Sequence, residues 1–293
     1  MSEPGAFRLE RHLVRAAFER ASAGYEPAAT LQARVSAELL ERLAPFGFAP
    51  QALLDLGAGT GRVTRQLKQR YRGALVIALD LSLGMLRVAA RHQRPWRRFA
   101  RVCGDALRLP LASASFELVF SNLMLQWCEP LDAALAEVRR VLKPGGFFAF
   151  STFGSGTLHE LRSAWSAVDG YNHVNHFPDV QELGDALLRA GLTEPVLDVD
   201  HIEAGYPSAL ELMRDLKAIG AHNVTAGRPR SLGGRARLAR LEAAYEPFRR
   251  EGRLPATYEV VYGASWGTAA GGAAGVQAGE VHIDASSIRR RGA

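Results

Sequence analysis

From Ala52 onward the chain alternates short apolar runs with stretches whose apolar residues recur at helical spacing. The runs 52–56, 75–79, 99–103, 116–121 and 147–153 read as strands, and 62–71, 84–91 and 131–142 as the helices between them. Such alternation calls for right-handed crossovers and a mainly parallel sheet with helices on both faces. Lys143-Pro144-Gly145-Gly146 stops the last of these helices before the next strand. Upstream, residues 7–43 read as helix broken near 24–27, with Leu31, Val35, Leu39 and Leu43 on one face, and Pro45, Gly47 and Pro50 then punctuate. Downstream, 157–168, 180–190, 208–221 and 235–250 fit helices, and 196–202 and 257–264 fit two further strands. The expected architecture is a doubly wound, Rossmann-like α/β fold of seven strands. A helical segment over 1–46 precedes the main domain, 47–267, which carries a helical insertion at about 205–250 before the last strand. Beyond Gly267 the text is Gly/Ala-rich and aperiodic, so 268–293 is expected to be a disordered tail.

Composition narrows the class more than the function. At 293 residues, 47% hydrophobic and 23% charged, with 29 Gly and 14 Pro, the chain is ordinary globular protein and neither collagen nor coiled coil. It has no run of about 18 apolar residues, and its N-terminus lacks a signal peptide's apolar region, so a cytoplasmic protein is expected. Cys103 and Cys128 offer no disulfide or zinc spacing. The net charge of +6 comes from 36 basic and 30 acidic residues, yet lysine occurs only at Lys68, Lys143 and Lys217. Arginines cluster over 87–101 and again at Arg228, Arg230, Arg235, Arg237, Arg240, Arg249, Arg250 and Arg253. Genomic base composition is the main reading of such a bias, and an acidic partner the functional alternative. Neither cluster has the aromatic interleaving of a nucleic-acid module, so no nucleic acid is expected.

The chemistry starts at Leu53-Leu54-Asp55-Leu56-Gly57-Ala58-Gly59-Thr60-Gly61, a strand leading through a glycine loop into a helix. Glycines let such a turn bend tightly and bring backbone close to a ligand. The G-x-G-x-G spacing, with an acid two residues upstream, departs from the dinucleotide fingerprint. A pyrophosphate would not favour Asp55 so near, whereas an ammonium or loop amides would. Asp80 ends the second strand, 19 residues beyond Gly61, where a carboxylate can accept from both ribose hydroxyls. Asp105 follows the third strand in Cys103-Gly104-Asp105-Ala106. Each acid alone could be a helix cap or turn former; three in register with the loop point to one ligand. The pattern resembles the class I S-adenosylmethionine-dependent methyltransferases. That resemblance implies a cofactor site of Asp55, Gly57, Gly59, Gly61, Asp80, Leu81, Asp105 and Ala106, with Asp105 beside the adenine amino group.

Further stretches narrow the resemblance: Ser121 to Cys128, Ser151 to Gly154, Thr157 to Arg162, Trp165 to Asp169, His173 to Phe177, Met213 to Ala221 and Leu254 to Tyr258. Together with Tyr25 and Leu31-Gln32, they resemble the malonyl-carrier-protein O-methyltransferases of biotin synthesis over roughly residues 7–267. Two departures are visible: Asn175-His176-Phe177 stands where that family has Asn-Arg-Phe, and Ala58 where it commonly has Cys. The resemblance implies methyl transfer from S-adenosylmethionine to the free carboxylate of a malonyl thioester, on carrier protein or on CoA. A carboxylate is already ionised near neutral pH, so no general base and no metal are expected. Tyr25, Gln126 and Trp127 are cleft or lid candidates, the N-terminal helices being the lid. Arg162, Arg214 and Lys217 are the candidate cations, the last two sharing a helix face at i, i+3. His173 and His176 could ligate a metal at i, i+3, but no third ligand presents itself. Two alternatives stay open: a protein-acting relative such as the arginine hydroxylase-like group, which shares the Phe153 to Arg162 pattern, and a non-catalytic assembly factor that binds the cofactor only for stability.

Overall fold

The computed structural model describes residues 9–221 and 234–268. Its centre is a seven-stranded sheet in the order β3-β2-β1-β4-β5-β7-β6. The strands are β1 Ala52–Leu56, β2 Leu75–Asp80, β3 Ala100–Cys103, β4 Phe116–Asn122, β5 Leu142–Phe153, β6 Leu192–Tyr206 and β7 Leu254–Gly267. The first five pair in parallel, and β7 enters antiparallel between β5 and β6. The order reverses between β1 and β4, so the loops after these strands open onto one crevice, as in doubly wound sheets generally. Leu54, Leu56, Val119, Phe148 and Phe150 bury one face of the sheet, and Leu53, Leu118, Phe120, Phe147 and Ala149 the other.

The crossover helices are α4 Arg62–Arg70, α5 Leu83–Arg91 and α6 Leu131–Val141. Ser82 caps α5 by accepting from the Met85 amide at 3.2 Å. After β5 come α7 His159–Ser166 and α8 Val180–Arg189, and between β6 and β7 lie α9 Ala209–Ala218 and α10 Arg235–Tyr245. Ahead of the sheet, α1 Arg11–Ala21, α2 Tyr25–Ala28 and α3 Thr30–Arg42 lie on its crevice side.

Several boundaries differ from the sequence expectation for local reasons. Leu142 belongs to β5, pairing with Phe116, and Lys143–Gly146 forms an irregularity within the strand, with Gly145 at a φ of 72°. The helix expected from 157 starts at His159, because Leu158 turns into the left-handed region and donates its amide to Thr257. α10 ends at Tyr245, and Pro247 carries the chain into a 3-10 turn over Glu246–Phe248. α9 stops at Ala218, with Gly220 at a φ of 73° and the Ala221 amide bonded to the Leu216 carbonyl at 2.8 Å. The expected tail from residue 269 onward, the N-terminal eight residues, Arg228 and Arg230 lie outside the described residues.

Gly263 of β7 faces Phe150 of β5 in register, and a Cβ at that position would overlap the Phe150 ring. Phe150 is fully buried and stacked on Phe148 at 4.8 Å, so it has no room to yield. Gly263→Ala is therefore expected to destabilise the fold by roughly 1–3 kcal/mol or more. A denaturant midpoint equal to that of the unsubstituted protein would refute this packing.

Candidate active site

The glycine loop is held in shape by the end of β2. Gly57 and Ala58 both donate to the Leu79 carbonyl, at 2.8 and 3.0 Å. Gly59 donates to Asp80 Oδ2 at 2.8 Å, and Ser82 to Asp80 Oδ1 at 2.8 Å. The Leu81 amide adds a further backbone hydrogen bond to this carboxylate, which lines the cavity that opens beside it. Burial outweighs these bonds and pushes the Asp80 carboxyl up to about 6. Gly57 has a φ of 80°, and a Cβ there would strike Met124; Gly59, at a φ of 53°, faces open space. The loop is closed on one side and open on the other, which is what a cradle for a ligand needs.

Gly57, Gly59, Asp80, Leu81, Asp105 and Ala106 line this first cavity together. Asp105 accepts the Leu107 amide at 2.9 Å. The apolar walls Leu81, Met85 and Leu107 suit a flat ring between these two acids.

Two residues of the expected cofactor set lie elsewhere. Gly61 is the N-cap of α4, where a Cβ would press on Ala89, so it serves close packing of α4 against α5. Asp55 is 2% exposed and accepts Thr64 Oγ1 at 2.5 Å. It faces a smaller neighbouring cavity with Tyr25, Thr60 and Asn122. Burial, with the Asp80 charge adding to it, pushes Asp55 up to about 7.

The N-terminal helices close the first cavity through Arg11, Val14, Phe18 and Tyr25. Arg11 pairs with Asp105. Glu19 accepts Ser82 Oγ at 2.7 Å and the Gly84 amide at 2.9 Å, and these bonds at the start of α5 draw its carboxyl below the usual range. Glu26 accepts Thr60 Oγ1 at 2.9 Å and pairs with Arg65 at 3.0 Å. Burial and the Asp80 charge hold the Tyr25 phenol well above its ordinary value, so it stays a neutral donor. Arg11, Glu19 and Glu26 went unnoticed in the sequence because they sit in ordinary amphipathic helix text.

A second, mostly apolar cavity adjoins the first, and Trp127 lines both. Trp127 follows β4 in the 3-10 turn Leu125–Trp127 and meets Phe18 edge-on at 5.2 Å. Gln126 also lines the second cavity, yet its amide is engaged: Nε2 donates to the Leu123 carbonyl at 2.7 Å, and Oε1 accepts from Thr152 at 3.3 Å. The expected cation pair separates here. Lys217 lines the cavity, while Arg214, on the exposed side of α9, pairs with Glu211 at 2.6 Å. Arg162 donates to the carbonyls of Ser155 and Thr157, each at 3.1 Å, and braces that turn.

His173 lines the second cavity but is bonded to Asp169 at 2.8 Å and stacked on Trp165 at 3.7 Å. His176 faces a different depression beside Glu129 and Glu182. Among the described residues no group of three His, Cys, Asp or Glu could hold a metal. No helix there is long and apolar enough to cross a membrane. Cys103 is exposed and Cys128 is raised to about 12 by burial, so both thiols are free and Cys128 is no thiolate.

With this geometry in place, comparison with known proteins is decisive. Residues 54–150 match the family described as a methyltransferase domain. A malonyl-[acyl-carrier protein] O-methyltransferase from Halorhodospira halophila is 48% identical over 294 aligned positions, 99% of each chain. The chain belongs to that family. A second member, from Methylovorus sp., is 50% identical over 268 residues, 89% of this chain and 90% of its own. Solved structures share the fold. The YcgJ protein of Bacillus subtilis has a TM-score of 0.56 at 16% identity, with 79% and 98% covered. Haemonchus contortus phosphoethanolamine N-methyltransferase 2, in a complex with S-adenosylhomocysteine, has 0.52 at 19%, with 80% and 53% covered.

Two outcomes follow for the buried acids at and beside the glycine loop. Asp80→Ala should weaken S-adenosylhomocysteine binding by about 1.5–3 kcal/mol, the worth of charged hydrogen bonds; unchanged affinity by calorimetry would reject its place in the site. Asp55 and Asp80 have raised native values, so the folded ligand-free protein binds more protons than the unfolded chain between about pH 4 and 7. Their contribution to stability is present below pH 4 and lost as pH rises through 6–7. Asp55→Asn should stabilise the ligand-free protein at pH 8 by on the order of 1 kcal/mol and flatten its melting temperature between pH 5 and 8. An unaltered pH profile would contradict the burial of that charge.

Proposed function

We propose that this protein transfers a methyl group to the free carboxylate of malonyl-acyl-carrier protein, the entry step of pimelate synthesis for biotin, with malonyl-CoA as a second acceptor sharing the same arm. The 48% identity with the Halorhodospira halophila malonyl-[acyl-carrier protein] O-methyltransferase, over 99% of both chains, carries this reading. The cavity geometry supports it through two adjoining chambers that share the Trp127 wall.

S-adenosylmethionine, when bound, supplies an electrophilic methyl on a sulfonium. Asp80 would hold the ribose hydroxyls, and Asp105 the adenine edge, while Gly57 and Gly59 let backbone approach the amino-acid end. Trp127 stands between the two chambers, and Tyr25 and Phe18 would help shield the cofactor side from water. The acceptor oxygen is an ionised carboxylate near neutral pH, so the chain supplies position and not a base. Holding that oxygen about 3–3.5 Å from the methyl, in line with the departing sulfur, is the whole task. Lys217 is the cation this reading assigns to the acceptor: it lines the apolar chamber and has no ion-pair partner among the described residues. An ammonium is a point charge, able to orient one carboxylate oxygen while leaving the other to attack.

The carrier's acidic surface would meet the exposed arginines of α10, Arg235 and Arg240, beside the second chamber. Arg237 and Arg249 are less suited: Arg237 pairs with Asp169, and Arg249 with Glu246 while bonding the carbonyls of Pro207 and Gly252.

With labelled S-adenosylmethionine, malonyl-carrier protein and malonyl-CoA should become base-labile esters, whereas acetyl thioesters and arginine peptides should not. Label on a peptide, or none on any thioester, would overturn the reading. The double substitution Arg235→Glu, Arg240→Glu should raise KM for malonyl-carrier protein at low salt by roughly three- to tenfold, with turnover of a short malonyl thioester unchanged. Equal kinetics on the carrier protein would remove α10 from the docking face.

A further inference from the structure

The second chamber holds a buried amide oxygen that none of the described residues satisfies. Asn175 is 7% exposed, lines the chamber, and its Oδ1 has no hydrogen-bond partner among the described residues. Gln32 of α3 lines the same chamber, and its Oε1 is likewise buried without a partner. Apart from Lys217, three other polar side chains of the lining are engaged. Gln126 bonds Leu123 and Thr152, His173 bonds Asp169, and Thr157 bonds the Glu259 backbone in both directions.

The Asn175 position is rigid. Val174 and Phe177 on either side of it are buried, Phe177 packs edge-on against Phe153 at 5.7 Å, and His173 is clamped between Asp169 and the Trp165 ring. Arg237 of α10 fastens the same segment by pairing with Asp169. A buried amide oxygen left open costs stability, and one held this firmly is preorganised for a ligand.

Both vacant atoms are acceptors, so a ligand that satisfies them brings donors. A malonyl group brings none: its carboxylate and its thioester carbonyl only accept. The arm that carries an acyl group as a thioester of pantetheine does bring them, as secondary amides with N–H groups. We infer that Asn175, assisted by Gln32, is a specificity-determining residue that accepts a hydrogen bond from an amide N–H of the acyl thioester's arm. The inference rests on the malonyl-thioester reading above and assigns the chamber a second recognition element besides Lys217. One end of the substrate is read by charge and the other by an amide.

The test compares two small acceptors that differ in this donor: the malonyl thioester of N-acetylcysteamine, which carries one secondary amide, and that of propanethiol, which carries none. The unsubstituted protein should favour the first in kcat/KM by about tenfold, because a site built for an N–H penalises the analogue that lacks it. Asn175→Leu should bring that ratio close to one by raising KM on the amide-bearing substrate alone. Asn175→Ser, smaller but still an acceptor, should retain an intermediate ratio. S-adenosylhomocysteine affinity, measured alongside, should be unchanged in both variants, which separates lost recognition from misfolding. A ratio near one in the unsubstituted protein, or one that survives Asn175→Leu, would overturn the inference while leaving the malonyl reading standing. Failure of the unsubstituted protein to methylate either thioester or malonyl-carrier protein would overturn both.

Discussion

Asp80 stands at the end of β2 with one oxygen on the Gly59 amide and the other on the Ser82 amide. Through these two bonds one carboxylate fixes the glycine loop and the entry to α5, which are the floor and one wall of the cofactor-type cavity. The sheet order makes this possible by setting β1 and β2 side by side, in parallel and in register from Ala52–Leu75 to Leu56–Leu79. Burying a carboxylate is costly, and its raised proton affinity records that cost. A ligand bringing hydroxyl donors relieves the strain, so the same feature that burdens the empty protein favours the filled one.

The N-terminal helices depend on this arrangement. Their fastenings reach the loops around the cavity: Arg11 to Asp105, Glu19 to the start of α5, Glu26 to Thr60 and Arg65. Polar and partly exposed bonds of this kind open more readily than the packed sheet. Val35 and Leu39 anchor α3 in the core, while the contacts that α1 and α2 make with the cavity loops are of the kind that permits exchange of what lies beneath.

The sheet, its helices and the acids at strand ends were legible because each leaves a local trace. Strand texture is a run of apolar residues, and Asp80 and Asp105 each follow such a run. What distinguishes Asp55 and Gly61 from their neighbours in the motif is not local. Asp55 turns toward Thr64, and Gly61 is required by the approach of Ala89, and no spacing reports either contact. The i, i+3 rule placed Arg214 and Lys217 on one helix face, but whether a face meets a cavity depends on what packs against it. Glu211 draws Arg214 outward, and Lys217 alone reaches the chamber wall. Asn175 was visible as part of a motif and unremarkable there. Its meaning lies in a missing partner, which only three dimensions can display.

The scarcity of lysine has a consequence for chemistry done to the protein and not by it. Of the three lysines, Lys68 donates to the carbonyls of Arg72 and Ala74, and Lys143 pairs with Glu117. Lys217 is the remaining side-chain amine, and it stands at the mouth of the apolar chamber. Guanidinium groups resist acylation at neutral pH, so the abundant arginines do not compete for an amine-directed electrophile. An arginine-rich composition has thereby left the apolar chamber a single amine, the one lysine of the three with no hydrogen-bond or ion-pair partner among the described residues, as a point for an affinity label or spectroscopic tag.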